Sequence, residues 1–196
     1  MEKAAETFAS ISFLADDAGS ITLFGGDLCA LPSALWISMV EKLLSSAART
    51  RRVEVEASIL EAAGRYCYHL AHEAIESPEF RAAARQAGAL EKVDLMRVFL
   101  GLLAAWGWGD SEAAFLEPDK KLVVHAHSYF EADIGSTFSS TRPCAFMLSG
   151  MCRALMDLMF AAPFPGGFGS FACTQTRGME CGDPYGEFVV TRKDAP

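Results

Sequence analysis

Apolar residues recur at helical spacing through the first half of the chain. After Pro32, one stripe consists of residues three or four positions apart: Trp36, Met39, Val40, Leu43 and Leu44. Such spacing puts side chains on one face of a helix. The same kind of pattern predicts four helices, at residues 33–48, 55–75, 79–87 and 90–106. We expect these helices to pack beside a sheet.

The second half of the chain has short apolar runs bounded by turn residues. They predict four strands, at residues 113–117, 121–126, 168–175 and 185–191. A strongly apolar segment, 144–160, lies between the two strand pairs and predicts a buried helix. Near the N-terminus, runs at 11–14 and 21–24 predict a hairpin that ends at 25–27. Together these elements predict an α+β fold, an antiparallel sheet with a helical layer and a ligand pocket between them.

Length and composition indicate one domain with a high apolar content. A chain of 196 residues can bury a sizeable core, so we expect a single ligand-binding domain. Its parts would be 1–52 (hairpin and first helix), 53–105 (further helices) and 106–196 (sheet and core helix). Hydrophobic residues make up 51% of the chain. We therefore expect a large internal cavity, a homodimer interface, or both.

Charge and hydropathy limit the possible partners. The chain has 17 Lys and Arg against 25 Asp and Glu, and its only basic cluster is Arg49, Arg51 and Arg52. With a net charge of −8 it lacks the basic face that nucleic acid binding needs, so we expect no nucleic acid partner. No run of 18 apolar residues and no signal-peptide pattern occur. These absences predict no membrane span and a cytoplasmic location.

Several groups of residues have metal-ligating chemistry, and each also has a simpler interpretation. His69 and His72 lie three apart on one predicted helix, with Glu76 one turn further. A closed site needs more ligands, and the polar face of an amphipathic helix gives the same pattern. Four cysteines could form a thiolate zinc site, although no pair has the short C-x-x-C spacing: Cys144, Cys152, Cys173 and Cys181. No nucleophile elbow, phosphate loop or dinucleotide motif occurs.

Aromatic residues and two histidines are concentrated in the second half. His125 and His127 would point the same way from a strand, which suits a metal, a bound substrate or two buried histidines. The aromatic residues are either core packing or the wall of an apolar pocket: Trp106, Trp108, Tyr129, Phe130, Phe146, Phe164, Phe168 and Phe171.

The apolar helix opens with Pro143-Cys144, and a polar loop from Gln175 to Phe188 follows it. Together they resemble the 4-vinyl reductase domain family, and most of all the effector-sensing domains of bacterial activators of aromatic catabolism. In that family the helix opens with Pro-x-Cys and the loop reads Glu-x-x-Cys-x-x-x-Gly-x-x-x-Cys-x-Phe. Its cysteines and glutamate hold zinc beside the ligand pocket. Here Gly182 and Phe188 keep the family's spacing, but the four ligand positions fall on other residues: Ala145, Gln175, Gly178 and Gly186. The resemblance implies the fold and the pocket, and the substitutions predict no metal and no cofactor.

Two further segments resemble the same family. The run Ser-Tyr-Phe-Glu-Ala at 128–132 is similar to a Ser-Trp-Glu-Ala segment whose aromatic residue lines the ligand cavity. The resemblance therefore implies that role for Tyr129 or Phe130. The run Gly-Ala-Leu-Glu at 88–91 is similar to the segment in which aromatic sensors place a pocket histidine, and Gly88 stands at that position here. The family also implies dimerisation through the N-terminal hairpin and helices.

We expect a stand-alone sensor or carrier that binds a small hydrophobic or aromatic molecule without zinc. The expected ligand-binding residues are Trp106, Trp108, His127, Tyr129, Phe130 and Phe146. One alternative is a small enzyme acting on a hydrophobic, tetrapyrrole or natural-product intermediate, with His127 and Glu131 as acid and base candidates. A second alternative is an adaptor dimer, because similar architecture occurs in subunits of vesicle-tethering complexes.

Overall fold

The N-terminal part of the fold is a short hairpin. The structure is a computed structural model that describes residues 21–23, 26–28, 32–48, 50–134 and 142–193, so the predicted strand at 11–14 lies outside the described residues. Strand β1 (Ile21–Leu23) pairs antiparallel with β2 (Gly26–Leu28). The prediction that the hairpin ends at 25–27 is wrong, because Gly26 and Asp27 belong to the second strand. Glycine-rich sequence suits a tight turn between strands as well as a strand end.

Four helices follow close to the predicted positions. They are α1 (Ser33–Ser46), α2 (Arg52–Glu76), α3 (Pro78–Gln86) and α4 (Lys92–Ala105). Local chemistry explains where α2 gives way to α3. The Ser77 hydroxyl accepts a hydrogen bond of 3.2 Å from the backbone N–H of Phe80. Pro78 occupies the first turn of α3, where its missing N–H has no partner to lose.

The sheet has four antiparallel strands. They are β3 (Gly109–Glu117), β4 (Lys121–Tyr129), β5 (Phe171–Arg177) and β6 (Gly186–Arg192), in the spatial order β3-β4-β6-β5. Along β4, Leu122, Val124 and Ala126 are buried. The intervening His125 and His127 are partly or fully exposed. One face of the sheet therefore packs on the helices, and both histidines lie on the other face.

Helix α5 (Phe146–Phe160) forms the centre of the molecule. Twelve of its 15 residues are buried, so it is enclosed on nearly every side. The main core contains residues of α2, α4, α5 and the sheet, including Phe99, Leu155 and Phe188. This architecture confirms the predicted α+β fold. Across the described residues, no helix is long and apolar enough to cross a membrane.

Helices α2 and α5 cross at a glycine contact. A Cβ atom added to Gly150 would lie 2.8 Å from the backbone nitrogen of Gly64 and 2.9 Å from the carbonyl carbon of Ala63. Real Cβ atoms do not approach backbone so closely, so the two helix backbones are in direct contact here. Any side chain at 150 has to push the helices apart.

We expect Gly150→Ala to lower the free energy of unfolding by about 1–3 kcal/mol, because overpacking displaces backbone rather than a flexible side chain. Gly101 in α4 is the matched control, since a Cβ there meets nothing within 4 Å. Gly101→Ala should raise the unfolding free energy by about 0.5–1 kcal/mol through helix propensity. Urea denaturation measures both changes, and equal stability of the two variants would contradict the proposed contact.

Candidate functional site

An open cleft of about 430 Å³ lies where the helices meet the end of β4. Helices α1, α2 and α5, the loop after α4 and the turn after β4 all contribute to it. Its described lining is Pro32, Ser33, Leu35, Trp36, Met39, Tyr66, Trp106, Gly107, Trp108, Phe130 and Met147. The chain has three tryptophans, and all three are in this set. The cleft thus combines aromatic rings with methionine side chains that can adapt to a ligand.

The turn after α4 brings two tryptophans to the cleft. The N–H of Gly107 bonds to the carbonyl of Ala104 at 3.0 Å, and the N–H of Trp108 bonds to the carbonyl of Leu103 at 2.9 Å. This pair of bonds is the Schellman ending of a helix, which needs a left-handed residue. Gly107 supplies it with a φ of 75°. Trp106 and Trp108 therefore flank a reversal of the chain.

Phe130 completes this wall from the strand side. It opens the 3₁₀ turn Phe130–Asp133 that follows β4, and its N–H donates to the carbonyl of Trp108 at 3.2 Å. The rings of Trp108 and Phe130 pack edge to face, with centroids 5.8 Å apart and planes at 71°. Such an arrangement presents both a ring face and a ring edge to a bound aromatic molecule.

The lining favours an uncharged ligand. Among the described residues that form it, polar groups are limited to hydroxyl, indole and backbone groups, and no side chain carries a formal charge. A carboxylate or ammonium group entering the cleft would lose water without gaining a counter-ion.

The six residues expected to bind a ligand lie in four places. Trp106, Trp108 and Phe130 line the cleft together. Phe146 is buried against α1 in a second apolar cluster. Tyr129 is buried with its hydroxyl directed towards Glu180.

His127 lies on the exposed face of the sheet, where its Nε2 is 3.4 Å from a carboxylate oxygen of Glu112. The second acid and base candidate, Glu131, is fully buried on the helical side of the sheet. The structure does not bring His127 and Glu131 together, and the two do not form an acid–base pair. Gly88 lies in the turn after α3 and is not among the residues that line the cleft.

Eight of the eleven described cleft residues were not assigned to a site from the sequence. Those with large side chains are Leu35, Trp36, Met39, Tyr66 and Met147. Trp36 and Met39 belong to the apolar stripe of α1, which predicts core packing. Of that stripe only Val40 and Leu44 are buried, together with Ile37, which was not part of it. Apolar positions beyond this buried stripe are the signal that could have indicated a second, ligand-facing surface.

Glu131 caps the start of α5 from inside the protein. Its carboxylate accepts hydrogen bonds from the N–H groups of Met147 and Leu148, both at 3.0 Å, and from the indole N–H of Trp36 at 2.8 Å. Burial raises the pKa of Glu131 to about 7, while these three bonds act in the opposite direction by favouring the charged form. A nearby Glu180 also raises this pKa.

The four positions that the family resemblance assigns to zinc ligands do not fit a metal. Ala145, Gly178 and Gly186 have no donor side chain. A Cβ at Gly178 would lie 2.7 Å from the carboxyl group of Glu180, and a Cβ at Gly186 would lie 2.7 Å from the ring of Tyr129. The space that ligand side chains would need is therefore filled by other side chains of this chain.

A hydrogen-bonded cluster of Tyr129, Gln175 and Glu180 fills this position. The Tyr129 hydroxyl donates to Glu180 and accepts from the N–H of Met179 at 2.8 Å. The Gln175 amide accepts from the N–H of Ala145 at 2.9 Å and donates to Glu180 at 2.9 Å. Burial is the largest cause, and the hydrogen bond to Glu180 the second largest, of a pKa for Tyr129 far above its usual value. The hydroxyl therefore stays protonated.

The other described metal-ligand candidates are not placed together in a group of three or more. His72 stacks on Phe164 with centroids 3.8 Å apart, and His69 packs edge-on against the same ring. Cys152 and Cys173 are buried, whereas Cys181 is exposed. Within the described part of the chain, no three His, Cys, Asp or Glu side chains are placed to hold a metal ion together.

Removing the Tyr129 hydroxyl should test whether the cluster stabilises the fold without metal. We expect Tyr129→Phe to lower the unfolding free energy by about 1–3 kcal/mol, because the buried Glu180 loses one of its donors and the N–H of Met179 loses its acceptor. Tyr185→Phe is the control, since Tyr185 is half-buried at the end of the loop, and it should change stability by less than about 0.5 kcal/mol. Treating the wild type with a chelator should leave its melting temperature unchanged. Stoichiometric zinc, or a lower melting temperature after chelation, would contradict this assignment.

The fold and the cleft together define an α+β domain with an aromatic-lined cleft between helices and sheet. A solved structure that it is similar to is the crystal structure of the phenol-responsive sensory domain of the transcription activator PoxR with phenol. The TM-score is 0.71 at 13% sequence identity, and the match covers 98% of this chain and 90% of that one. This likeness shows a shared fold. No protein-family model and no curated protein matches the chain.

Proposed function

We propose that this protein is a small-molecule-binding domain, a sensor or carrier, and that its cleft takes an uncharged aromatic ligand. The observation that carries the proposal is the cleft of about 430 Å³ with all three tryptophans in its wall. The shared fold supports it, since the PoxR domain is phenol-responsive. We also propose that the chain is related to the 4-vinyl reductase domain family and that the protein is cytoplasmic.

The side chains that line the cleft suggest how the ligand is held. Trp108 and Phe130 would pack against its ring, Trp106 and Trp36 would enclose it, and Met39 and Met147 would adjust to its outline. Burial of apolar surface contributes about 25 cal/mol per Å² before the entropy losses of binding. The ligand's polar substituent would meet hydroxyl or indole groups rather than a charge. The placement of His127 and Glu131 on opposite faces favours binding over turnover.

Trp108→Ala and Phe130→Ala should each weaken binding of phenol and 2-naphthol by about five- to hundredfold, since each removes about 1–3 kcal/mol of apolar contact. Phe115→Ala is the matched control, because Phe115 is an exposed aromatic residue outside the cleft. Tryptophan fluorescence is a direct readout, as every tryptophan lies at the site.

Benzoate is the charge control for the same experiment, because it carries a carboxylate on a similar ring. It should bind at least tenfold more weakly than phenol, since the described lining offers it no cation. Equal affinity for benzoate, or unchanged phenol affinity in both cleft variants, would contradict the proposed site.

The homodimer is a further part of the proposal. Leu35, Met39 and Leu43 are 54%, 47% and 42% exposed, and they recur every four residues along the outer side of α1. A helical stripe of this kind can pack on its own copy across a two-fold axis, where the same residues meet on both sides. A second copy would also shield the rim of the cleft, because Leu35 and Met39 belong to both surfaces.

Light scattering after size exclusion should give the mass of a dimer for the wild type. Leu43→Glu should shift it to monomer, because the substitution would bury two unpaired carboxylates at the interface. Leu90→Glu is the control, as Leu90 is an 82% exposed residue in the turn after α3. A monomeric mass for the wild type would contradict the proposed homodimer but not the proposed ligand cleft.

A further inference from the structure

Glu131 connects the cleft to the central helix. One carboxylate oxygen accepts from both the Trp36 indole at 2.8 Å and the Met147 N–H at 3.0 Å, and the other accepts from the Leu148 N–H at 3.0 Å. Trp36 and Met147 line the cleft, as does Phe130, the residue next to Glu131. A single buried carboxylate therefore holds one wall of the cleft and the first turn of α5 at the same time.

We infer that Glu131 is the positioning residue of the cleft: it fixes the indole of Trp36 in the wall and couples the position of that indole to the first turn of helix α5. One part of the inference, that a ligand in the cleft acts on α5 through Trp36, rests on the proposed function. Its other part, the coupling of Trp36 to α5, is a property of the free protein.

The bond to Glu131 gives a directional constraint to Trp36, which also packs against the apolar cluster that contains Ile37 and Val40. Trp36 is half-buried, and its neighbours Leu35 and Met39 on the same side of α1 are exposed. An indole at such a position has several rotamers open to it. A hydrogen bond to an ionised carboxylate is stronger than one to a neutral acceptor, and it selects the rotamer that turns the ring towards the cleft.

The start of α5 depends on Glu131 as well. The N-cap residue Ala145 offers no side-chain acceptor, so the N–H groups of Met147 and Leu148 donate hydrogen bonds to the carboxylate of Glu131 instead. A negative charge at this end is also favoured by the helix dipole. The interior of α5 packs on α2 and the sheet, so its first turn is linked to most of the core.

The coupling has a definite sign. Removing the indole donor removes one of the bonds that stabilise the charged form of Glu131. Its pKa, which burial has already raised to about 7, then rises further, and at neutral pH more of the carboxyl group is protonated. A protonated carboxyl is a weaker acceptor for Met147 and Leu148. Titratable groups that act on Glu131 or feel its charge include Glu180, Tyr129 and the buried Cys67 of α2. None of these supplies a positive charge that could replace the lost bond.

Hydrogen exchange in the ligand-free protein tests the inference. With ¹⁵N labelling, the three indole N–H groups give separate signals, and the signal missing from Trp36→Phe identifies Trp36. We expect Glu131→Gln to speed exchange of the Trp36 indole N–H by about tenfold or more, which corresponds to the loss of one charge-assisted bond. The Trp108 indole is the internal control and should not change.

Trp36→Phe keeps an aromatic ring in the wall and removes only the donor. It should speed exchange of the Met147 and Leu148 amides by about three- to tenfold while amides in the middle of α5, such as Leu155, keep the wild-type rate. A purely structural role of Glu131 would not make its helix contacts depend on Trp36. Unchanged exchange at Met147 and Leu148 in Trp36→Phe, or at the Trp36 indole in Glu131→Gln, would overturn the inference.

Phenol separates the inference from the proposed function. In the wild type, phenol should shift the signals of the Trp108 indole and of the Leu148 amide together. In Trp36→Phe it should still shift Trp108 but leave Leu148 unchanged. If phenol shifts no indole signal in the wild type, the proposed ligand class is wrong, and the exchange rates of the free protein alone decide the role of Glu131. An equal Leu148 shift in both proteins would overturn the coupling.

Discussion

The start of helix α5 imposes the main constraint on this structure. The first N–H groups of any helix have no partner within it, and here they lie inside the protein, where water does not satisfy them. Side chains from elsewhere supply the acceptors. Glu180 accepts from Cys144, Gln175 accepts from Ala145, and Glu131 accepts from Met147 and Leu148.

Each of these acceptors places a different part of the chain. Glu180 lies in the short 3₁₀ turn Met179–Cys181, so its bond fixes the loop between β5 and β6. Glu131 lies in the turn after β4, so its bonds fix the residue before it, Phe130, beside Trp108. The cleft is formed where these hydrogen-bonded groups meet the apolar side chains of α1 and of the turn after α4. The same hydrogen bonds that satisfy the buried N–H groups of α5 thus also position the residues that line the cleft.

The elements were predictable from the sequence because their periodicity is strong. The apolar segment 144–160 predicts the central helix to within two residues. The short apolar runs predict the strands of the sheet, although β3 begins four residues earlier and β4 ends three residues later than predicted. The residues of the site were harder to predict from the sequence. Trp36 and Met39 are apolar residues in an amphipathic helix, and periodicity alone does not tell which edge of an apolar stripe faces the core. The structure shows that Ile37, Val40 and Leu44 face it.

Long-range hydrogen bonds were beyond sequence reasoning for a physical reason. The bond between Trp36 and Glu131 joins residues 95 positions apart, and neither has a local pattern that indicates a partner. The cluster at the expected zinc position shows the same limit. Glycines at 178 and 186 indicated missing ligands, but only the packing shows that Glu180 and Tyr129 occupy the vacated space.

The central claim is that an uncharged aromatic ligand binds in the cleft walled by the three tryptophans. The most direct measurement is a crystal structure of the protein with 4-bromophenol, because the anomalous signal of bromine locates the ligand without prior assumptions. We expect one strong peak between Trp36, Trp108 and Phe130 in each copy of the chain. A peak confined to another surface, or none at saturating 4-bromophenol, would contradict it.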